Sequence, residues 1–390
     1  MGPLEGVKII EVAGIGPGPF CAMMLADMGA EVIRVDRAAR VKPRDTTTSP
    51  ADILNRGRRS VAIDLGQPDG VDTLLRMIER ADALIEGFRP GVAERLGFGP
   101  DVCHARNPKL VYGRMTGWGQ DGPMARAAGH DINYIALAGV LGLLGREGER
   151  PSIPLNLVGD FGGGGMLLAF GLLAGILHVH RGGEGQVVDA AMVDGSAILA
   201  SMVHGLRAMG AWQDRRGVNT IDSGAHFYEV YETKDGRHVA IGAIESKFYG
   251  ELLEAIGLGD ADMPNQWDQA QWPAMKEQLA EVFRSRTRDE WDELLLGTDA
   301  CYAPVLEMAE VADHPHNAAR GTFVDVAGIT QPAPAPRFSQ TAVHVQRPPA
   351  HPGQHTREVL AEWGWTDDEI TMLQDSGAIA AYAGDHLRPA

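Results

Sequence analysis

The sequence predicts an α/β fold built on a doubly wound sheet, and two observations point there. Residues 6–14, GVKIIEVAG, read as a buried strand; 19–29 follow as a helix ending at Gly29; and 30–37, AEVIRVDR, return as a second strand, completing a βαβ unit. Short apolar runs then recur at 61–65 (VAIDL), 82–88 (DALIEGF) and 110–117 (LVYGRMTG), separated by helical or loop segments. Ligands of such sheets bind beyond the strand C-terminal ends, where Gly14, Arg37 and Gly87 fall.

Composition sets the outer bounds. A chain of 390 residues with 44% hydrophobic content buries a large core, and its length favours two or three domains. The balance of 35 basic against 52 acidic residues, −17 overall, argues against nonspecific nucleic-acid binding, which needs a cationic face. A local basic pocket stays open. Cys21, Cys103 and Cys301 are few and far apart, so they read as small buried hydrophobes with no disulfide framework, and no metal site is expected. The apolar stretch 166–178 is short and glycine-rich for a membrane span, and MGPLEGVKIIEVAG lacks the basic head of a signal peptide. No membrane partner is expected, and the expected location is the cytoplasm.

Chemistry concentrates in two segments. In Gly129-His130-Asp131-Ile132-Asn133-Tyr134 a histidine stands beside an aspartate just before IALAGVLGLLG, an apolar run that reads as a buried helix. Further on, Asn156-Leu157-Val158-Gly159-Asp160 leads through Phe161 and four glycines into MLLAFGLLAGILHVH. Two bases thus stand at two helix starts. Taken singly, each has a plainer reading: an aspartate before a helix is ordinarily an N-cap, and a lone histidine is ordinarily a satisfied core residue. Glu245, after RHVAIGAI and before a helical pattern, fits an acid complementing a helix dipole.

Between 34 and 59, eight basic residues (Arg34, Arg37, Arg40, Lys42, Arg44, Arg56, Arg58, Arg59) face Asp36, Asp45 and Asp52, an excess of +5. One reading is a solvated loop. The other is an anion site for a ligand with several phosphates, whose oxygens guanidinium forks hold bidentately. Gly14, Gly16 and Gly18 after the first strand, with Asp36 ending the second, imitate a dinucleotide fingerprint. The third glycine is misplaced, and Pro17 and Pro19 replace the turn that brings backbone amides to a pyrophosphate. A nicotinamide dehydrogenase is therefore disfavoured.

Together, GIGPGPF with CAMMLADMGAEVIRVDR, RGRRSVAIDL, GHDINY, NLVGDFGGGG, GQVVDAAMVDG, VAIGAIESKFY and CYAPVLEMAEVADHPHNAARGTF resemble the family III coenzyme A transferases, in particular their α-methylacyl-CoA racemase branch. The likeness runs over nearly the whole chain. It implies a Rossmann-like large domain and a smaller α+β domain joined by long linkers, with two chains interlocked as a homodimer. The layout implied is a large domain over 1–190, a helical linker over 191–224, a small domain over 225–315, a return linker over 316–340 and a C-terminal part, 341–390, packing on the large domain. The return linker enters QPAPAPRF, which reads as extended coil.

The resemblance also implies a reaction. Inverting the α-carbon of a 2-methylacyl thioester removes a proton from one face and returns one to the other, so two acid/bases must flank the carbon while donors stabilise the enolate. The family's pair falls on His130 and Asp160. The backbone amide of Asp131 is an enolate donor at a helix N-terminus, whose field also favours a neutral imidazole. The family's supporting glutamate, from the partner chain's small domain, falls on Glu245. Coenzyme A is placed against Arg37, against Val61, Ala62, Ile63 and Asp64 at a strand end, and against Gly129, Ile132, Asn133 and Tyr134, with Arg95 on the pantetheine or phosphate path. No separate cofactor is expected, since coenzyme A is part of the substrate. Where close relatives of that branch tend to carry GGAP and AIEP, this chain has Ser223-Gly224-Ala225-His226 and Glu245-Ser246. His226 and Ser246 are therefore expected to alter the acyl pocket or loosen the segment holding Glu245.

Two other functions fit parts of this reading. A coenzyme A transferase of the same fold would use Asp131 as nucleophile and pass through covalent intermediates. A nonenzymatic acyl-CoA-binding protein would show no α-proton exchange.

Overall fold

The computed structural model describes residues 2–41 and 50–382. The backbone clusters into two compact units: Met1–Ala138, Leu155–Leu199 and Pro315–Ala390 form the first, and Gly139–Pro154 with Ala200–His314 form the second.

In the first unit β1 (Lys8–Val12), β2 (Glu31–Arg37), β3 (Arg59–Ile63), β4 (Ala83–Glu86), β5 (Val111–Thr116) and β6 (Val187–Ala191) run parallel. A last short strand, Ile379–Ala380, joins antiparallel to β3. The order across this mostly parallel sheet is Ile379–Ala380, β3, β2, β1, β4, β5, β6. Winding reverses between β1 and β4, the switch point beyond whose strand C-termini open α/β sheets generally bind their ligands. Alternate strand residues serve opposite faces: Ile10, Ile33 and Leu84 join one buried cluster, while Ile9, Val32 and Ile85 join the other. Helices cover both faces, which is why the strands read as near-continuous apolar runs.

The first helix, α1 (Pro17–Asp27), begins earlier than periodicity suggests because Pro17 fits the first helical position, where its missing N–H would be unpaired anyway. After it come α2 (Pro68–Ile78), α3 (Val92–Leu96) and α4 (Pro100–Arg106). The apolar run after GHDINY is not one buried helix. It yields the seven-residue α5 (Asp131–Leu137), which stops before Gly139, and then the four-residue α6 (Val140–Leu143); Leu137 is 63% exposed.

The glycine run is itself helical: Leu157–Met166 forms a π-helix that continues directly into α7 (Leu167–His180). Backbone crowding explains the glycines. A Cβ on Gly165 would lie 2.8 Å from the Pro17 carbonyl oxygen, and one on Gly164 would lie 2.9 Å from Met192, the first residue of α8 (Met192–Leu199). The combined 24-residue helix, unlike the shorter stretch read from sequence, is long and apolar enough to cross a membrane on length and composition alone. Leu168, Leu172 and Ile176 are nonetheless buried in the cluster against the sheet, while Met166, Phe170 and Leu177 are exposed.

In the second unit β7 (Tyr228–Glu232), β8 (His238–Gly242) and β9 (Tyr302–Pro304) pair antiparallel in that order. The helix α9 (Ser201–Ala208) has no buried residue. The helices α10 (Ser246–Ala255), α11 (Trp272–Phe283) and α12 (Arg288–Leu295) enclose an aromatic core of Phe227, Tyr249, Trp272, Phe283 and Trp291. The return segment opens with regular structure, Pro315–Arg320 being helical and Phe323–Val326 pairing with Ile329–Pro332 as a hairpin, while beyond Pro332 the rest of QPAPAPRF is irregular.

Candidate active site

His130 is the N-cap of α5, with extended backbone (φ −134°, ψ 174°) and an exposed side chain. The loop that delivers it is fastened from beneath. Asn133 accepts the His130 N–H through its side-chain oxygen at 3.0 Å, and Tyr134 donates its hydroxyl to the Gly129 carbonyl. The Tyr134 ring stands edge-on to Trp118, with centroids 4.7 Å apart, and is 7% exposed. Tyr134 is thus a clamp on the histidine loop, and His130, Ile132 and Asn133 are the exposed residues of GHDINY.

Asp160 is the fourth residue of the π-helix, whose N-cap is Asn156, so it is not a cap. Capping falls to Asp131 instead, on the neighbouring helix rather than its own. The buried Asp131 carboxylate accepts the Asp160 N–H at 2.7 Å. Close approach is possible because residue 159 is glycine; a Cβ there would lie 2.5 Å from the Asp131 Oδ2. Asn156 donates its side-chain amide to the Asp160 Oδ2 at 3.1 Å. Gly16, with φ 73° and ψ −114°, presents its bare Cα to the same oxygen, and a Cβ there would come within 3.1 Å. The glycine-proline turn that imitates a nucleotide fingerprint is therefore a wall of the carboxylate site. Burial pushes the Asp160 carboxyl above its usual range; the Asn156 hydrogen bond opposes this, the Asp131 charge adds to it, and His130 opposes it. His130, Asp131 and Asp160 share one electrostatic neighbourhood.

A cavity of about 470 Å³ opens at the C-terminal ends of β1, β2 and β3, lined by Ala13, Arg37, Ile63, Asp64 and Phe88 among others. Val61 and Ala62 are fully buried within β3 and do not line it, because only the last residues of the strand reach the crevice. Arg95 lies exposed on α3, whose Val92 and Leu96 do line the cavity.

The basic window is neither a solvated loop nor a single phosphate patch. Arg34 pairs with Asp36 at 2.8 Å, Arg56 with Asp27 at 2.6 Å and Arg58 with Glu11 at 2.9 Å, all buried. Arg59 holds Glu31, and also Glu358 at 3.0 Å and Glu362 at 2.7 Å. Of the window's described basic residues, only Arg37 and Arg40 stand exposed without an ion pair to another described residue. Lys42, Arg44 and Asp45 lie outside the described residues. The Asp36 Oδ2 also accepts the Ser60 hydroxyl at 2.7 Å, so the carboxylate that ends the second strand is engaged inside the protein. Three site residues escaped sequence reading: Asn156, Gly16, and Arg89, which is exposed on the loop after β4 and acts electrostatically on Tyr134. For Arg89 the available signal was its position just beyond a strand C-terminus.

In the second unit Glu245 is the N-cap of α10 and is exposed, with no capping contact from its side chain. His226 is fully buried in the aromatic core, so in this chain it is a core residue and not a pocket lining.

Residues 4–356 match CoA-transferase family III, and the chain belongs to that family. Within it, the chain is 46% identical to mouse alpha-methylacyl-CoA racemase over 95% of this chain and 96% of the mouse protein. The human alpha-methylacyl-CoA racemase is 44% identical over 96% and 97% of the two chains. Among solved structures, a CAIB/BAIF family protein from Brucella suis superposes with a TM-score of 0.79 at 26% identity, covering 93% of this chain and 99% of that one.

Proposed function

We propose that this protein is a racemase of 2-methylacyl-CoA thioesters, inverting the α-carbon by 1,1-proton transfer through an enolate. One observation carries the reading: a half-buried carboxyl with a raised pKa, Asp160, shares its surroundings with an imidazole at a helix start, His130. One base takes the α-proton, the C–H electron pair moves onto the thioester oxygen, and the conjugate acid on the other face returns a proton to carbon. A carboxyl whose pKa lies closer to neutrality serves both directions better than an ordinary one. The Asp131 N–H is the donor we assign to the enolate oxygen. No metal or redox step enters a reaction that moves only protons.

Arg37 at the cavity mouth fits coenzyme A phosphates. The exposed apolar residues of α7 and the wholly unburied α9 fit a second copy of this chain, which would supply Glu245 to support His130. The transferase alternative is weaker, because the Asp131 carboxylate is only 5% exposed and its Oδ2 is engaged by the Asp160 N–H.

The test is NMR of each enantiomer of a 2-methylacyl-CoA in deuterated buffer. Loss of the α-proton signal from both enantiomers is expected. His130→Ala and Asp160→Ala should each abolish net racemisation while any residual exchange is confined to opposite enantiomers. Equal residual exchange of both enantiomers in either variant refutes the two-base assignment; acyl transfer to a free acid without exchange favours the transferase.

A further inference from the structure

His226 and Ser246 take no part in the proton transfers, yet both lie on the structure around Glu245. The His226 Nε2 is 2.9 Å from the Tyr249 hydroxyl, and its Nδ1 is buried with no hydrogen-bond partner among the described residues. The imidazole therefore commits its polar contact to that tyrosine. Burial, with the Lys276 charge, lowers the His226 pKa to about 4, and burial raises that of Tyr249 to about 12. Both partners are neutral across the working range. Tyr231 in β7 donates its hydroxyl to the His226 carbonyl at 2.6 Å, anchoring the same residue to the sheet.

Tyr249 is the fourth residue of α10, and its N–H donates to the Glu245 carbonyl at 2.9 Å, closing the first turn. The segment before Glu245 is held as well. Gln266, 7% exposed, donates its side-chain amide to the Ala243 carbonyl at 3.0 Å and the Ile244 carbonyl at 2.9 Å. Trp272 donates its indole N–H to the Gln266 backbone carbonyl at 2.8 Å, fixing that side chain's origin. Buried polar groups are unfavourable unless paired, and here two sets converge on the backbone either side of one exposed carboxylate.

We infer that His226, Tyr249 and Gln266 are positioning residues that set where the Glu245 carboxylate stands. The inference rests on the reading of Glu245 as the support of His130. It makes the histidine at 226 a brace for α10, which starts without the proline that ordinarily stiffens a first turn.

The full chain is tested by steady-state racemisation and thermal melting. Glu245→Gln tests the underlying reading. If its kcat equals that of the parent, that reading fails and the brace with it. With Glu245→Gln impaired, His226→Phe and Tyr249→Phe, which keep ring volume and remove the bond, should each lower kcat about tenfold with KM little changed, since small misplacements are costly in rate. Ser246→Pro supplies the missing stiffness: the first helical position accepts proline, and the extended Glu245 backbone (φ −70°, ψ 136°) suits the residue before one. Adding it to His226→Phe should recover most of the lost kcat. A lowered melting midpoint with unchanged kcat, or a midpoint restored by Ser246→Pro without kcat, overturns the brace while leaving the Glu245 reading intact. Tyr249→Phe, which removes one oxygen, carries the same test if His226→Phe does not fold.

Discussion

Gly16→Ala is the sharpest test of the carboxylate site, because the residue belongs to a turn with no obvious tie to Asp160 in sequence. Two effects are separable. Alanine in the Gly16 conformation (φ 73°, ψ −114°) costs on the order of 1–3 kcal/mol, which in a protein of this size lowers the melting midpoint by several degrees. The new Cβ also comes within 3.1 Å of the Asp160 Oδ2, so the carboxylate must retreat by a few tenths of an ångström. If a misplacement of about 1 Å costs roughly a hundredfold in rate, a shift of about 0.3 Å costs roughly fourfold. That loss should fall on the enantiomer whose proton Asp160 removes. The assay is α-proton exchange in deuterated buffer, with each enantiomer measured separately beside a melting curve. Gly6→Ala is the control, since Gly6 also has positive φ (86°) but nothing within 4 Å of its Cβ position. If Gly16→Ala melts like the control and exchanges both enantiomers at the parental rate, Asp160 is not held by this turn.

Other measurements bear on the same site. Asp131→Asn keeps an oxygen to accept the Asp160 N–H and removes the negative charge that helps raise the Asp160 pKa. Asp160 then stays ionised to lower pH, so the acidic limb of kcat/KM for its enantiomer should move down; an unmoved or raised limb contradicts the coupling. Arg37→Ala should raise KM, with the difference from the parent shrinking as salt screens the pair, and leave the melting midpoint in place. Arg58→Met should instead destabilise by about 3–5 kcal/mol, because Glu11, 1% exposed, loses its buried partner; equal behaviour of the two variants would return both arginines to one class. Co-expressed His130→Ala and Glu245→Ala chains should regain about a quarter of parental activity if sites are shared between copies, half the dimers being mixed with one intact site each. Activity that only averages the two parents, with mixed dimers demonstrated by tagged purification, places Glu245 in its own chain's site.

Much of the first unit was legible in the sequence because its signals are local. Apolar runs, Pro17 and Gly29 mark the opening βαβ within a few dozen residues, and strand C-termini locate the crevice that Arg37 borders. The two acid/base candidates were legible as residues, through GHDINY and NLVGD. Their setting was not: that Asp131 caps the Asp160 segment, and that Gly16 faces the same carboxylate, depends on elements brought together from three places in the chain. That the glycine run is itself helical was not legible, because glycine is a poor helix former in isolation; α1 and α8 press so closely on it that only glycine fits. Charge shows the division most clearly. The sequence alone determined that eight basic residues crowd between 34 and 59 in an acidic protein. Only the tertiary structure decided which of the described ones are paired internally, because the acids that neutralise Arg56, Arg58 and Arg59 stand on other strands and helices, from Glu11 to Glu362. A guanidinium in reach of a buried carboxylate is bound before any ligand arrives, and that reach is set by strand order, which local spacing does not encode.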